Sequence, residues 1–190
     1  TRLFSISRVK NDLKTLLNTK ARQIKFVDRT FNADYKRAME IMKFIVQHNK
    51  NNMKIHFEIT ADIINDEFLN FIGKMPVNIF QFEIGVQSTN NMTLKAIGRT
   101  TDFEKLKSVT EEIKSFRNIH QHLDLIAGLP YEGYNSFKES FNDVYEIKPE
   151  KIQLGFLKLL KGSGLRNKKD DVFLSQIARS KKNMLPRIAR

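Results

Sequence analysis

Cysteine is absent from the 190 residues of this chain. That excludes disulfides, a cysteine nucleophile and cysteine-held zinc or iron–sulfur within the chain itself. No apolar run approaches the roughly 20 residues needed to span a bilayer, and no secretory signal pattern opens the sequence. The expected setting is therefore cytoplasmic, with no membrane partner. The first residue is Thr1 rather than methionine, which suggests a piece cut from a longer polypeptide or a processed chain. Zinc-finger spacing is missing, as is the aromatic-plus-basic sheet motif of RNA-binding domains. Only charge is left to speak for nucleic acid.

The composition that remains is ordinary for a globular protein: 41% hydrophobic and 28% charged residues. This length can bury one substantial core. The formal charge of +12 is unevenly spread. Residues 166–190 hold eight Lys/Arg against two Asp, a net of +6. Such an end reads as a solvated basic tail, with a nucleic-acid surface as the alternative. The expected division is a core over 1–165 and a tail over 166–190.

Helical and strand periods alternate through the core. Ile6, Val9, Leu13, Leu16 and Leu17 recur at helical spacing after Ser5 and Ser7. QIKFVD (23–28) reads as a strand, and 32–49 as an amphipathic helix capped near Asn32 or Asp34. KIHFEIT (54–60) is the next strand, and Asn65 caps a short helix bearing Phe68, Leu69, Phe71 and Ile72. IFQFEIGV (79–86) is a strand, followed by a short helix through Met92–Ile97 for which Ser88 is placed to cap. Thr101 and Glu104 suggest a capping box for a helix carrying Leu106, Val109, Ile113 and Phe116. HQHLDLIAGLP (120–130) is a strand, Asn135 begins a helix with Phe137, Phe141, Val144 and Tyr145, and KIQLGFLKL (151–159) is the last clear strand. Five strands separated by helices predict a parallel α/β sheet.

The strand faces are unequal. His56 and Glu58 oppose Ile55, Phe57 and Ile59. Gln81, Glu83, Gly85 and Gln87 oppose Phe80, Phe82, Ile84 and Val86. His120, His122 and Asp124 oppose Gln121, Leu123 and Leu125, while Gln153 and Gly155 oppose Ile152, Leu154 and Phe156. A flat sheet covered on both sides needs two apolar faces. One polar face predicts a sheet curled into a barrel or partial barrel, with that face inward. The same pattern also suits a purely structural network of paired charges. Polar residues near the C-terminal strand ends instead favour chemistry.

Two motifs narrow the choice. EIGVQS (83–88) ends one strand with Gly85, Gln87 and Ser88, and DLIAGLP (124–130) ends the next with Asp124, Ile126 and Gly128. KFVDRTFNADYKRAMEIMKFI, HFEITADII, FQFEIGVQSTNNMTLKAIGRTT and HQHLDLIAGLPYEGYNSFKESFNDV together resemble the radical SAM superfamily. They look most like its cobalamin-domain-associated branch, often labelled magnesium-protoporphyrin IX monomethyl ester oxidative cyclase-like. The resemblance covers about residues 3 to 165.

It implies a partial TIM-like (β/α)6 barrel of parallel strands, here without its first strand. It also implies S-adenosylmethionine bound beside a [4Fe–4S] cluster, reductive cleavage to a 5′-deoxyadenosyl radical, and hydrogen abstraction from a small-molecule substrate. By position Glu58 and Gln87 resemble the ribose-hydroxyl partners, and both can accept such hydrogens. Arg99 resembles the partner of the methionyl carboxylate, a role suited to a forked guanidinium. Asp124 resembles a polar pocket residue, Ile126 and its backbone would pack the adenine, and Gly85, Ser88 and Gly128 shape the same strand ends. The resemblance names no catalytic side chain and no metal ligand in this chain.

One departure is large. The family holds its cluster with a C-x3-C-x2-C loop, and this chain has no cysteine. The cluster loop is thus expected upstream in the same polypeptide, with a cobalamin-binding domain further upstream, and the chain alone is expected to be inactive. Two other classes fit some residues. A metal-dependent hydrolase could use His120, His122 and Asp124 with Glu58. A non-catalytic scaffold or RNA-binding module could use the basic tail.

Overall fold

The computed structural model describes residues 3–161. The break expected after Lys161 and the basic tail over 166–190 lie outside the described residues. In chain order the elements are α1 (Ile6–Leu17), β1 (Gln23–Lys25), α2 (Tyr35–His48), β2 (Lys54–Ile59), α3 (Asp66–Ile72), β3 (Phe80–Gln87), α4 (Asn91–Ala96), α5 (Phe103–Phe116), β4 (His120–Ala127), α6 (Tyr134–Glu146) and β5 (Lys151–Phe156). The strands form a five-stranded sheet in the order β1-β2-β3-β4-β5, and β2 pairs in parallel with both β1 and β3. The order never reverses, so the sheet has no switch point of the doubly wound kind. The fold is α/β, of the partial TIM-like barrel class.

By its internal contacts the chain divides into two compact units. The first comprises the described residues up to Gly85, with Asp102–Leu123 and Pro149–Lys151. Its core centres on Phe57, which is fully buried. Phe31 stacks on it at 3.8 Å between ring centroids, and Phe26, Phe80 and Phe82 surround it at 4.7, 5.8 and 6.4 Å. Burying one such ring contributes about 2–3 kcal/mol. Ala38, Ile41, Met42 and Ile45 of α2 and Phe68, Leu69 and Ile72 of α3 are buried in the same unit. The alternation expected for β2 and β3 is present, with Ile55, Phe57, Ile59, Phe80, Phe82 and Ile84 all buried.

The second unit comprises Val86–Thr101, Asp124–Lys148 and the described residues from Ile152 onward. Its buried apolar residues include Val86, Leu94, Leu125, Ala127, Leu129, Val144 and Ile147. The apolar stripe expected on α6 is only partly buried. Ser140 and Val144 face inward, while Tyr145 is 63% exposed. Ser140 is turned in by polar contacts described below. In β5 the apolar residues Leu154 and Phe156 are 51% and 66% exposed. The strand lies at the edge of the sheet, and among the described residues no helix follows it.

Several boundaries differ from the sequence reading for local reasons. The first strand stops at Lys25, although Phe26 N–H still donates to His56 O at 2.9 Å. Asp34 caps α2 by accepting from Arg37 N–H at 3.0 Å. Asn32 does not cap that helix. It is buried, its amide donates to Thr60 O at 2.8 Å, and its carbonyl accepts from Thr60 N–H at 2.9 Å. Asn90, not Ser88, caps α4, accepting from Met92 N–H at 2.9 Å. Asp102, not Thr101, caps α5, accepting from Lys105 N–H at 3.1 Å. At α6 the helix starts at Tyr134, one residue before the expected Asn135, and Gly133 occupies the cap position with no side-chain bond.

Asn32→Ala should strip two backbone groups of Thr60 of their partners. Such losses cost about 2–3 kcal/mol together. A urea titration should show a lower midpoint with an unchanged slope.

Candidate functional site

In the first unit, the polar residues of the strands gather around one lysine. Lys25 Nζ lies 2.9 Å from Glu83 Oε2 and 3.4 Å from Glu58 Oε1. His56 Nε2 also meets Glu83 Oε2, at 2.6 Å. The Lys25 pKa is raised, first by its hydrogen bond to Glu83. Gln81 Nε2 donates to the His122 ring, 2.9 Å from Nδ1 and 3.0 Å from Nε2. His122 has its pKa pushed down to about 4 by burial and then by His120, Lys151 and His56. The His120 and His122 rings meet edge-on at 4.7 Å. Glu58 thus has Lys25 as an ion-pair partner. Lys25 gives no signal in the sequence, because its strand is short and does not sort into two faces.

In the second unit a different network follows the strand ends. Ser88 is buried, and its hydroxyl donates to Glu132 Oε1 at 2.5 Å. Ser140 donates to the same oxygen at 2.9 Å. Thr89 N–H donates to Ser140 Oγ at 3.1 Å, and Thr89 Oγ1 donates to Asp143 Oδ2 at 2.6 Å. Asn90 Nδ2 donates to Ser136 Oγ at 2.8 Å and to Tyr131 O at 3.2 Å. Burial raises the Glu132 pKa, opposed by the bonds from Ser88 and Ser140. Ser88 is therefore committed to protein contacts instead of a helix cap. Glu132 and Ser140 carry no periodic signal and could not have been picked out from the sequence.

Gln87 ends β3 with φ at +69°, a left-handed backbone that is uncommon for a residue with a side chain. Its Oε1 is buried and has no hydrogen-bond partner. Both conditions cost free energy, and such strain clusters at functional positions. Gly128 follows β4 with φ at +83°, where any side chain would be strained. Asp124, Ile126 and Gly128 all lie on the half-buried side of that segment, opposite buried Leu125, Ala127 and Leu129. Arg99 is exposed and sits just after α4. There Gly98, at φ +72°, allows a paired C-terminal cap: Arg99 N–H donates to Leu94 O at 2.9 Å and Gly98 N–H to Lys95 O at 3.1 Å. That cap fixes where the arginine leaves the helix.

The expected site residues thus divide. Glu58 and Gly85 belong to the first unit; Gln87, Ser88, Arg99, Asp124, Ile126 and Gly128 belong to the second. Among the described residues no group of three His, Asp or Glu is placed to hold a metal. The hydrolase reading through His120, His122 and Asp124 with Glu58 therefore has no ligand cluster among the described residues to support it. Among the described residues no helix is long and apolar enough to cross a membrane.

The family model of the radical SAM superfamily matches residues 1–144. The oxygen-independent coproporphyrinogen-III oxidase-like protein HemZ of Bacillus subtilis (strain 168) is 33% identical over 114 residues, 56% of this chain and 21% of that protein. The ribosomal protein uS12 methylthiotransferase RimO of Caldicellulosiruptor saccharolyticus is 30% identical over 90 residues, 47% of this chain and 20% of that protein. Each match therefore spans about a fifth of the relative's length. Among solved structures, coproporphyrinogen III oxidase (HemN) from Escherichia coli, a radical SAM enzyme, superposes with a TM-score of 0.67 at 16% identity. It covers 94% of this chain and 45% of HemN. The methyltransferase TsrM from Kitasatospora setae, with cobalamin and a [4Fe–4S] cluster bound, gives 0.67 at 13% identity, covering 80% of this chain and 31% of TsrM. At these identities the two structures speak for the fold alone.

Two titrations follow from the networks. The folded chain resists protonating His122, so its contribution to stability is lost as pH falls from about 6.5 through about 4. His122→Gln should flatten that part of the pH–stability curve, read from urea midpoints. The folded chain holds the Glu132 proton more tightly than the unfolded chain, so stability is lost as pH rises from 4.5 through the raised value. Glu132→Gln should lose less stability than the parent chain between pH 4.5 and 7.

Proposed function

Because this chain belongs to the radical SAM superfamily, we propose that it is the S-adenosylmethionine-binding part of a larger radical enzyme. The observation that carries the proposal is Gln87: strained backbone at a strand end, with a buried carbonyl oxygen that no protein group satisfies. A ribose hydroxyl is the kind of donor such an oxygen lacks. The other residues supply the right chemistry. Glu58 offers a second hydroxyl acceptor, and Arg99 offers a fork for a carboxylate. Ile126 supplies apolar contact for a base, and Gly128 permits close backbone approach. Asp124 adds a polar contact to the same cofactor. Ser88 acts indirectly, tying the residues after Gln87 to Glu132 and Ser140.

S-adenosylmethionine supplies a sulfonium that one electron can cleave. The residues of this chain bind and orient it. They do not fit the [4Fe–4S] cluster, since the chain has no cysteine. The proposal places the three cysteines in another part of the polypeptide and makes this chain inactive in reductive cleavage on its own. The finer branch is cobalamin-dependent and oxidative cyclase-like, with an upstream cobalamin-binding domain. TsrM, which shares the fold, has cobalamin bound, whereas the curated relatives carry oxidase and methylthiotransferase names. The substrate in this reading is a small molecule.

Equilibrium dialysis of the 190-residue chain against labelled S-adenosylmethionine tests the reading. Weak saturable binding is expected. Arg99→Ala should weaken it about tenfold, the scale of one charge-assisted contact. Gln87→Gly should also weaken binding while leaving stability equal or raised by about 1 kcal/mol, because glycine relieves the left-handed strain. Incubation with iron and sulfide under argon should leave the chain without an iron–sulfur absorption band. No binding by the parent chain sinks the reading.

A further inference from the structure

Glu58 and Glu83 are directly paired across β2 and β3 in the parallel register. Two carboxylates side by side on neighbouring strands repel one another. Lys25 lies beside His56 in the register of β1 and β2, and its side chain reaches along the sheet to both acids. One Glu83 oxygen takes bonds from both Lys25 and His56. Glu58 has the ammonium as its ion-pair partner at 3.4 Å, and its side chain is 35% exposed. A carboxylate has two oxygens and about four acceptor sites, so one ion pair leaves capacity for a hydroxyl.

We infer that Lys25 is a positioning residue: it holds Glu58, against repulsion from Glu83, in the place where Glu58 accepts a ribose hydroxyl. The inference rests on the S-adenosylmethionine reading and deepens it. Glu83 is the anchor of the device, since His56 pins it from the other side. Lys25 touches no ligand. Its effect is confined to how well Glu58 serves the sugar, and contacts to the base and the amino-acid end should not change.

The test compares S-adenosylmethionine with its 2′,3′-dideoxyribose analogue, binding each to the parent chain and to Lys25→Met and Lys25→Arg. The parent should prefer the natural ribose. Lys25→Met should lose that preference by about five- to tenfold, the scale of one hydrogen bond to a charged group. Its affinity for the dideoxy analogue should be unchanged. Lys25→Arg should recover most of the preference, because a guanidinium can bridge the same two carboxylates. Circular dichroism and urea midpoints confirm folding of each variant; in a Glu83→Gln background, where the repulsion is gone, Lys25→Met should cost less of the ribose preference than it does in the parent chain. Equal loss of both ligands in Lys25→Met, or an undiminished ribose preference, overturns the inference and leaves the cofactor reading standing. Failure of the parent chain to bind S-adenosylmethionine overturns both.

Discussion

Side chains on a strand alternate between two faces, and β2, β3 and β4 obey this with little slack. Ile55, Phe57 and Ile59 on β2, Phe80, Phe82 and Ile84 on β3, and Leu123 and Leu125 on β4 are almost fully buried. Once those residues are sealed on one side, every charged or amide side chain between them must face the other. The polar face is thus not an independent feature. It is what remains after the core has taken its share. A register slip of one residue would bury Glu58 and Glu83 and expose Phe57 and Phe82, which fixes the pairing.

The same constraint explains how charge is handled. Polar groups crowded on one sheet face must satisfy one another or a ligand. In the first unit they largely satisfy one another, through Lys25, His56, Glu83, Gln81 and His122. Beyond the strand ends in the second unit, Ser88, Thr89, Ser140, Asp143 and one oxygen of Glu132 do likewise, while Glu132 Oε2 is left unmet. Against that background an unmet acceptor is informative. Among the described residues with a buried unmet side-chain atom, Gln87 is set apart by the left-handed backbone that carries it.

The sheet and most helices were legible in the sequence because burial imposes period. Phe68, Leu69 and Ile72 after Asn65 read as a capped helix, and the structure has that helix and that cap. Where a residue answers to a polar contact instead of burial, period fails. Asn32 resembles a cap but closes on Thr60. Ser88 resembles a cap but bonds Glu132. The aromatic stripe of α6 yields its inward place to Ser140. The motifs at the ends of β3 and β4 were visible as residue types. The left-handed backbone at Gln87 and the lysine bridge between Glu58 and Glu83 depend on angles and distances that no spacing rule encodes.

A chain without cysteine can still carry the residues of a cofactor cradle, because holding a nucleoside and holding a cluster draw on different physics. A nucleoside needs acceptors, a fork and an apolar wall on rigid strand ends. An iron–sulfur cluster needs thiolates. Under the proposed reading the first set is drawn from residues such as Glu58, Gln87, Arg99 and Ile126, none of which is a thiol. Binding and electron delivery are therefore separable in principle within this fold. The left-handed turn at Gln87 follows directly on buried Val86 and precedes buried Ser88, so the sheet and the serine network together hold that backbone in place.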